Sequence, residues 1–408
     1  MHADIEQILE DRIEAQGDLS GRTVTLLPDP EPAPRLYPIV SVDDHLIEPP
    51  DLFDGRMPAA YQHAAPRVVD EPDGSQAWHF EDRVFRNIGL NAVAGRPVSE
   101  STDEPRRFDE MRPGCWKIGE RVRDMDLNGI DASVTFPSQL TGFGGQRFAQ
   151  ARDLDLGLAT MRAWNSWHLD AWAGPSGGRI IPCQIPWLAD ADVAAAEIRA
   201  NAELGFRAVT FPELPDRLGL PSIHSGYWHP FLAACEETET VICLHVGSAS
   251  TLLGGGPESS PLTVNTLFAI NSMVATTDWL FSPVALSFPA IKILMAESGI
   301  SWLAALIDRL NFLERFQMRQ DPWRSGDVRP IDVLRRNFWF SAVDDQVGFR
   351  VIDAIGTDRV MVESDYPHAD STWPHTQEVV RRQIESLTEA DRRRVTSENA
   401  LSLFRWAL

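Results

Sequence analysis

Val42-Asp43-Asp44-His45 closes an apolar run that begins at Tyr37, and Val360-Met361-Val362-Glu363-Ser364-Asp365-Tyr366-Pro367-His368 closes another near the far end of the chain. Both are strand-type runs that stop abruptly in carboxylates and a histidine. Side chains alternate along a strand, so Asp43 and His45 share one face. Asp365 closes the second run in the same way. Carboxylate plus imidazole is a donor mixture suited to a divalent ion of hard or borderline character. Taken alone, Asp43-Asp44-His45 reads equally well as turn and cap residues. Repetition of the pattern at other strand ends decides between the two.

Working outward, apolar runs alternate with helical patterns. Strands are expected at Pro38–Asp43, Ile130–Phe136, Arg179–Pro186, Ala208–Phe211, Thr240–Val246, Ile291–Ala296, Phe338–Val343 and Arg359–Glu363. Helices are expected between them, among them Trp116–Leu127, Arg147–Ala173, Asp190–Leu204, Trp228–Glu237, Leu262–Leu280, Ser301–Phe316 and Gln346–Ile355. Near-continuous apolar strands suit a parallel sheet covered on both faces. Eight β/α units predict an α/β fold, a distorted (β/α)8 TIM barrel, over an open doubly wound sheet. In such a barrel the C-terminal ends of all strands meet at one mouth.

Two regions stand outside the alternation. Residues 1–36 form an N-terminal arm: a helix over Ala3–Ala15, with Ile5, Ile8, Leu9 and Ile13 on one face, then a Pro-rich connector. Its apolar face needs cover, which predicts a dimer or larger assembly, either a homodimer or a heteromer with a paralogous chain; the competing reading folds it back on its own barrel. Residues 37–408 make the barrel, interrupted after the first strand by an insertion at about 49–113. There Arg67-Val68-Val69 and Trp78-His79-Phe80 flank Glu71-Pro72-Asp73-Gly74, a β-hairpin pattern, followed by a polar, aperiodic stretch from Gly95 to Arg107.

The 408 residues carry 59 acidic and 37 basic side chains, a net charge of -22. That balance disfavours nucleic acid and anionic membrane as partners and points to a small-molecule substrate. Cys115, Cys183, Cys235 and Cys243 have no paired spacing and predict reduced, buried thiols. With no basic-plus-apolar leader and no long apolar span, a cytoplasmic location is expected.

Four predicted strand ends carry ligand-type residues: Asp43 and His45 after strand one, His245 after strand five, Glu297 after strand six, Asp365 with His368 after strand eight. Each has an ordinary alternative. His245 alone fits a core histidine, Glu297 a helix cap, and His368 a loop residue. Their convergence on one barrel mouth favours a site for one or two divalent ions. Such an ion polarises a substrate oxygen or activates a bound water. Glu297, His368 and Asp365 are then the candidates for proton transfer, or Glu297 ligates a second ion. Arg147 and His224 are weaker substrate-binding candidates, and Trp373 is placed to line the cavity.

These residues resemble the amidohydrolase superfamily, in the branch similar to aminocarboxymuconate-semialdehyde decarboxylase. The resemblance runs from about Tyr37 to Trp406 and rests on Asp43-Asp44-His45-Leu46-Ile47-Glu48-Pro49, His245, Ser364-Asp365-Tyr366-Pro367-His368 and Glu398-Asn399-Ala400-Leu401. It implies a distorted barrel, a zinc or manganese ion, and decarboxylation of aromatic or unsaturated acids or hydrolysis of C–N or C–C bonds. Asp43 and His45 match the opening ligand pair, His245 the strand-five ligand and Asp365 the strand-eight ligand. There are departures. Asp43 stands where the founding pattern has histidine, and Glu297 where many members have histidine. Phe211-Pro212-Glu213 stands where carbamate-bridged hydrolases have lysine. A carboxylate-rich subset of the branch implies another chemistry, O2-dependent hydroxylation on a dinuclear Mn/Fe or Fe/Fe centre. A non-catalytic partner subunit is the reading from a third class.

Overall fold

Eight parallel strands follow one another in the order their helices dictate. In the computed structural model, which describes residues 2–17, 23–256, 258–316 and 328–408, they are β1 (Val40–His45), β2 (Ala132–Phe136), β3 (Ile180–Ile181 and Cys183–Gln184), β4 (Ala208–Thr210), β5 (Val241–His245), β6 (Ile293–Ala296), β7 (Phe338–Ala342) and β8 (Val360–Val362). The first half of β3 pairs with β2 and the second half with β4, so the strand passes from one sheet to the other at Pro182. Proline has no N–H for the ladder. Instead the Pro182 carbonyl accepts from Arg207 and Ala208. The remaining neighbours pair in sequence order through β8.

Beyond the end of β8, backbone hydrogen bonds join the last segment to β1: Asp365 N–H to the Asp43 carbonyl at 2.9 Å and His45 N–H to the Tyr366 carbonyl at 2.7 Å. Side chains add to this seam. The Ser41 hydroxyl accepts from Ser364 N–H at 2.8 Å, and the Asp44 carboxylate accepts from Tyr366 N–H at 3.1 Å. The barrel expectation holds. Its distortion lies at the Pro182 break and at a bulge in β1, where Val42 and Asp43 together oppose Val134. An extra residue of this kind bends a strand and re-aims its side chains.

Helices surround the strands, with ends set by local chemistry. Asp153 and Asp190 accept hydrogen bonds from the first-turn N–H groups of Leu154–Trp167 and Ala191–Leu204. Gly129, with φ +72°, ends Ile118–Asn128. The long helix expected over Arg147–Ala173 begins only at Leu154 and passes into a π-helical turn at His168–Ala173. The helix expected over Leu262–Leu280 divides into Pro261–Thr266 and Phe268–Phe281. Among the described residues no helix is long and apolar enough to cross a membrane, and all four cysteines are free and buried.

The insertion forms a three-stranded antiparallel meander, Arg67–Asp70, Gln76–Phe80 and Arg83–Phe85. The polar stretch after it is held by buried charge: Arg96, Glu104, Arg106 and Glu110 are all buried. Aperiodicity there reflects an ion-paired loop, not a solvated one. In the arm, Ile5–Ala15 is helical with Asp4 as its N-cap; residues 18–22 lie outside the described residues. The preceding strand His2–Asp4 pairs antiparallel with Thr251–Leu253, in the loop after β5. Leu9 and Ile13 are buried within the single chain, and Ile5 and Ile8 are half-buried. Part of the apolar face that motivated a neighbouring subunit is thus covered within the same chain.

Candidate metal centre

At the C-terminal mouth of the barrel the predicted donors converge. His45 Nε2 and His245 Nε2 face each other at 3.0 Å. Asp43 reaches both, with Oδ1 3.4 Å from His45 and Oδ2 3.4 Å from His245. Asp365 Oδ1 lies 3.5 Å from His45 Nε2 and 3.0 Å from His368 Nδ1. Glu297 Oε2 lies 3.5 Å from His245 Nε2. The bulge in β1 keeps Asp43 and His45 together at this mouth, while Asp44 turns to the seam and accepts from Ser41 and Ser133.

The tautomer of His245 follows from its surroundings. Its Nδ1 lies 2.7 Å from the Val246 carbonyl, which can only accept, so Nδ1 carries the proton and Nε2 presents a lone pair. Burial pushes the His245 pKa down to about 3. Burial, with His368 and His245 alongside, also holds His45 well below its ordinary value. Both rings are thus neutral, the form that binds a cation. Phe143, in the loop after β2, lies with ring centroids 4.7 Å from His45 and 4.4 Å from His245, and His368 stacks on His45 at 4.0 Å.

Both carboxylate oxygens of Asp43 and both of Asp365 are buried without a hydrogen-bond partner. Burial pushes both carboxyls well above the ordinary range, reinforced at Asp43 by Glu363, Asp365, Glu297 and Asp44. Glu297 rises for the same reasons, burial first and Asp365 next. Buried, unpartnered carboxylates beside imidazole lone pairs are costly unless positive charge is supplied. The donor set fits a divalent ion, in two groupings that share His45: Asp43, His45 and His245, and His45, Asp365 and His368. A further grouping, Glu297, Asp365 and Asp370, extends the donors toward the exterior.

Backbone geometry at the mouth is unusual. Glu297 and Asp365 both have φ in the left-handed region, +52° and +56°. Non-glycine residues adopt it at a cost, repaid where a site needs a side chain aimed off the strand direction.

A family model described as amidohydrolase matches residues 50–406. The chain belongs to the amidohydrolase family. Solved structures share the fold. An amidohydrolase of Mycobacterium avium subsp. paratuberculosis K-10 aligns at 21% identity and TM-score 0.70, covering 90% of this chain and 98% of that one. The 5-carboxyvanillate decarboxylase of Sphingomonas paucimobilis aligns at 17% identity and TM-score 0.61, covering 91% and 100%. A 5-carboxyvanillate decarboxylase of Novosphingobium aromaticivorans, complexed with manganese and a nitrobenzoic acid, aligns at 15% identity and TM-score 0.60, covering 94% and 100%. No curated protein matches the sequence.

Three further candidates of this amidohydrolase stand apart from the converging donors. Arg147 is buried, pairs with Glu6 at 3.2 Å and lies over the Phe85 ring. His224 is exposed and pairs with Asp278 at 3.0 Å, the arrangement of a surface histidine. Trp373 packs its ring 5.9 Å from Tyr366 with the Arg112 guanidinium 4.8 Å over it, so its contacts are with the Tyr366 loop. Two residues at the mouth escaped the sequence reading. Glu363 is fully buried with Oε1 unpartnered, and burial raises its carboxyl to about 8. The period-two rule that selected Asp43 and His45 would have selected Glu363 with Asp365. Phe143 was signalled by its setting, an aromatic between Gly142 and Gly144 in a loop at the strand ends.

Glu213, after β4, buttresses this region. Its Oε1 accepts from Gly247 N–H at 2.8 Å in the loop after His245, and its Oε2 has no partner. Burial raises its pKa from 4.5 to about 7. A carboxyl whose pKa is higher folded than unfolded contributes stability below the unfolded value and loses it as pH rises through the folded one. In cation-free protein, Glu213→Gln should therefore gain relative to wild type by about 3 kcal/mol between pH 4.5 and pH 8, because each tenfold change in proton affinity is worth about 1.4 kcal/mol. Denaturant melts at several pH values check this; a flat difference would mean that Glu213 stays ionised.

Proposed function

We propose that this amidohydrolase is a cation-dependent decarboxylase of a small ring carboxylic acid. The observation that supports it most is the meeting of two imidazole nitrogens at 3.0 Å beside four buried carboxylate oxygens without partners. The 5-carboxyvanillate and 2,6-dihydroxybenzoate decarboxylases among the structural neighbours supply the reaction class. Asp43, His45, His245 and Asp365 would hold the ion, which when bound supplies Lewis-acid polarisation of substrate oxygens. The chain's own groups handle the proton. Glu297, whose carboxyl is pushed well above the ordinary range by burial and by Asp365, is suited to deliver a proton to the ring carbon as the C–C bond breaks and CO2 leaves. His368, 3.0 Å from Asp365, is suited to exchange that proton with the exterior.

The grouping of Glu297, Asp365 and Asp370 favours a second reading, two ions and O2-dependent hydroxylation. The ion count separates them. Protein expressed with Mn, Zn and Fe available is assayed for metal content, CO2 release from a panel of hydroxybenzoates, and O2 consumption. CO2 release abolished by a chelator and restored by metal supports the first reading; O2 uptake with two ions per chain supports the second; no bound cation overturns both. Glu297→Gln is expected to keep stoichiometry and lose turnover if Glu297 is a proton donor. If it ligates a second ion, the stoichiometry should fall by about half, as loss of a ligand requires.

A further inference from the structure

A cavity of about 270 Å³ lies between the N-terminal helix, the last strand of the meander and the loop after β2. Glu6, Leu9, Phe85, Asn87 and Arg147 are among its walls, and none of the six side chains converging at the barrel mouth is. Its charged lining is Arg83, Arg86 and Arg147 against Glu6 and Glu10, and two donors on it are unmet. Arg147 Nε and Asn87 Nδ2 are both buried without an acceptor. The oxygen of Asn87 is already committed, accepting from Leu90 N–H at 2.7 Å, so only its NH2 end faces unmet demand. Arg83 adds positive charge, while Arg86 lies 4.0 Å from the carboxylate of Glu10, which also lines the cavity.

Arg147 is the centre of this imbalance. Its side chain is 5% exposed, whereas Glu6, which pairs with it at 3.2 Å, is 52% exposed. A buried guanidinium satisfied on one nitrogen by a half-solvated carboxylate is poorly compensated. A carboxylate inside the cavity would meet Arg147 Nε as well, and carboxylate matches the guanidinium fork two-pronged. The Phe85 ring, 4.5 Å from the Arg147 guanidinium carbon and 4.9 Å from that of Arg83, and Leu9 supply apolar surface beside the charge.

We propose that this cavity is a second binding site, for a small carboxylate with a flat apolar body, and that Glu6 is its intramolecular placeholder. The site does not depend on the cation, because it shares no side chain with the donors at the barrel mouth. Occupation by the ligand displaces the Glu6 carboxylate from Arg147 and leaves the N-terminal helix held by its apolar contacts and by the pairing of His2–Asp4 with Thr251–Leu253.

Benzoate is the probe, titrated by calorimetry into the full chain with and without cation. Binding should persist in chelator-treated protein. Glu6→Gln, which removes an exposed competitor, should tighten it by about threefold to fivefold. Arg147→Gln should weaken it by about tenfold or more, since a charge-assisted pair is lost. Benzoate binding that requires the cation, or an affinity unchanged in Glu6→Gln, overturns the proposal. Should Arg147→Gln fail to fold, the surface substitution Glu6→Gln decides alone. A parallel titration with inorganic phosphate tests the ligand class: phosphate binding with the same dependence on Glu6, without benzoate binding, overturns the assignment to a flat carboxylate. Decarboxylation is read separately by CO2 release, so loss of one result leaves the other standing.

Discussion

Asp365→Asn is expected to lower turnover by about 10- to 100-fold or more, the range of a lost group that holds or orients an ion, with the fold intact. The asparagine is chosen for its backbone. Asp365 sits at φ +56°, a conformation that asparagine tolerates and alanine does not tolerate well. Its N–H bond to the Asp43 carbonyl survives the exchange. Neither carboxylate oxygen has a hydrogen bond to lose. What disappears is one negative charge beside His45 and His368. The comparison is of kcat for CO2 release, at matched metal content, with circular dichroism as the check on folding. Near wild-type turnover in metal-loaded Asp365→Asn would remove this residue from the mechanism.

His45→Ala should weaken cation binding by about 100-fold or more, since even groups that only orient a ligand typically affect affinity by about 10–100-fold. His45 is the strongest choice because its ring belongs to two donor groupings, with Asp43 and His245 on one side and with Asp365 and His368 on the other. His368→Ala touches only the second grouping and should weaken binding less. Competition with a chromophoric chelator measures both. Equal affinities in wild type and His45→Ala would mean that the ion, if bound, lies elsewhere, toward Glu297 and Asp370.

The barrel was legible because its signal is repetitive. Apolar runs such as Val241–His245 and Ile293–Ala296 must be buried on both faces, and that requirement is written into consecutive residues. The donors were legible for a related reason: a ligand at the end of a strand interrupts an apolar run, so Asp43, His245 and Asp365 stand out. What was missed depends on contacts between distant segments. Arg147 looked like a free cation at a loop entry, yet its partner Glu6 comes from the arm, 141 residues away. His224 lies in a loop after β4, but its ring meets Asp278 on the surface. The break of β3 at Pro182 was signalled by the proline itself, within a run otherwise strong enough to suggest one continuous strand.

The seam between the first and last strands has a consequence for how the protein is made. Asp44 and Tyr366, which hydrogen-bond across it, are 322 residues apart. During synthesis β1 leaves the ribosome early and waits, with the acids that follow its apolar run exposed, until nearly the whole chain has been translated. No arrested nascent chain shorter than Asp365 can assemble both sides of the donor cluster. An ion shared by the two groupings can be held in full only once the barrel is complete, so chains stalled before Asp365 should bind a cation more weakly than the full chain.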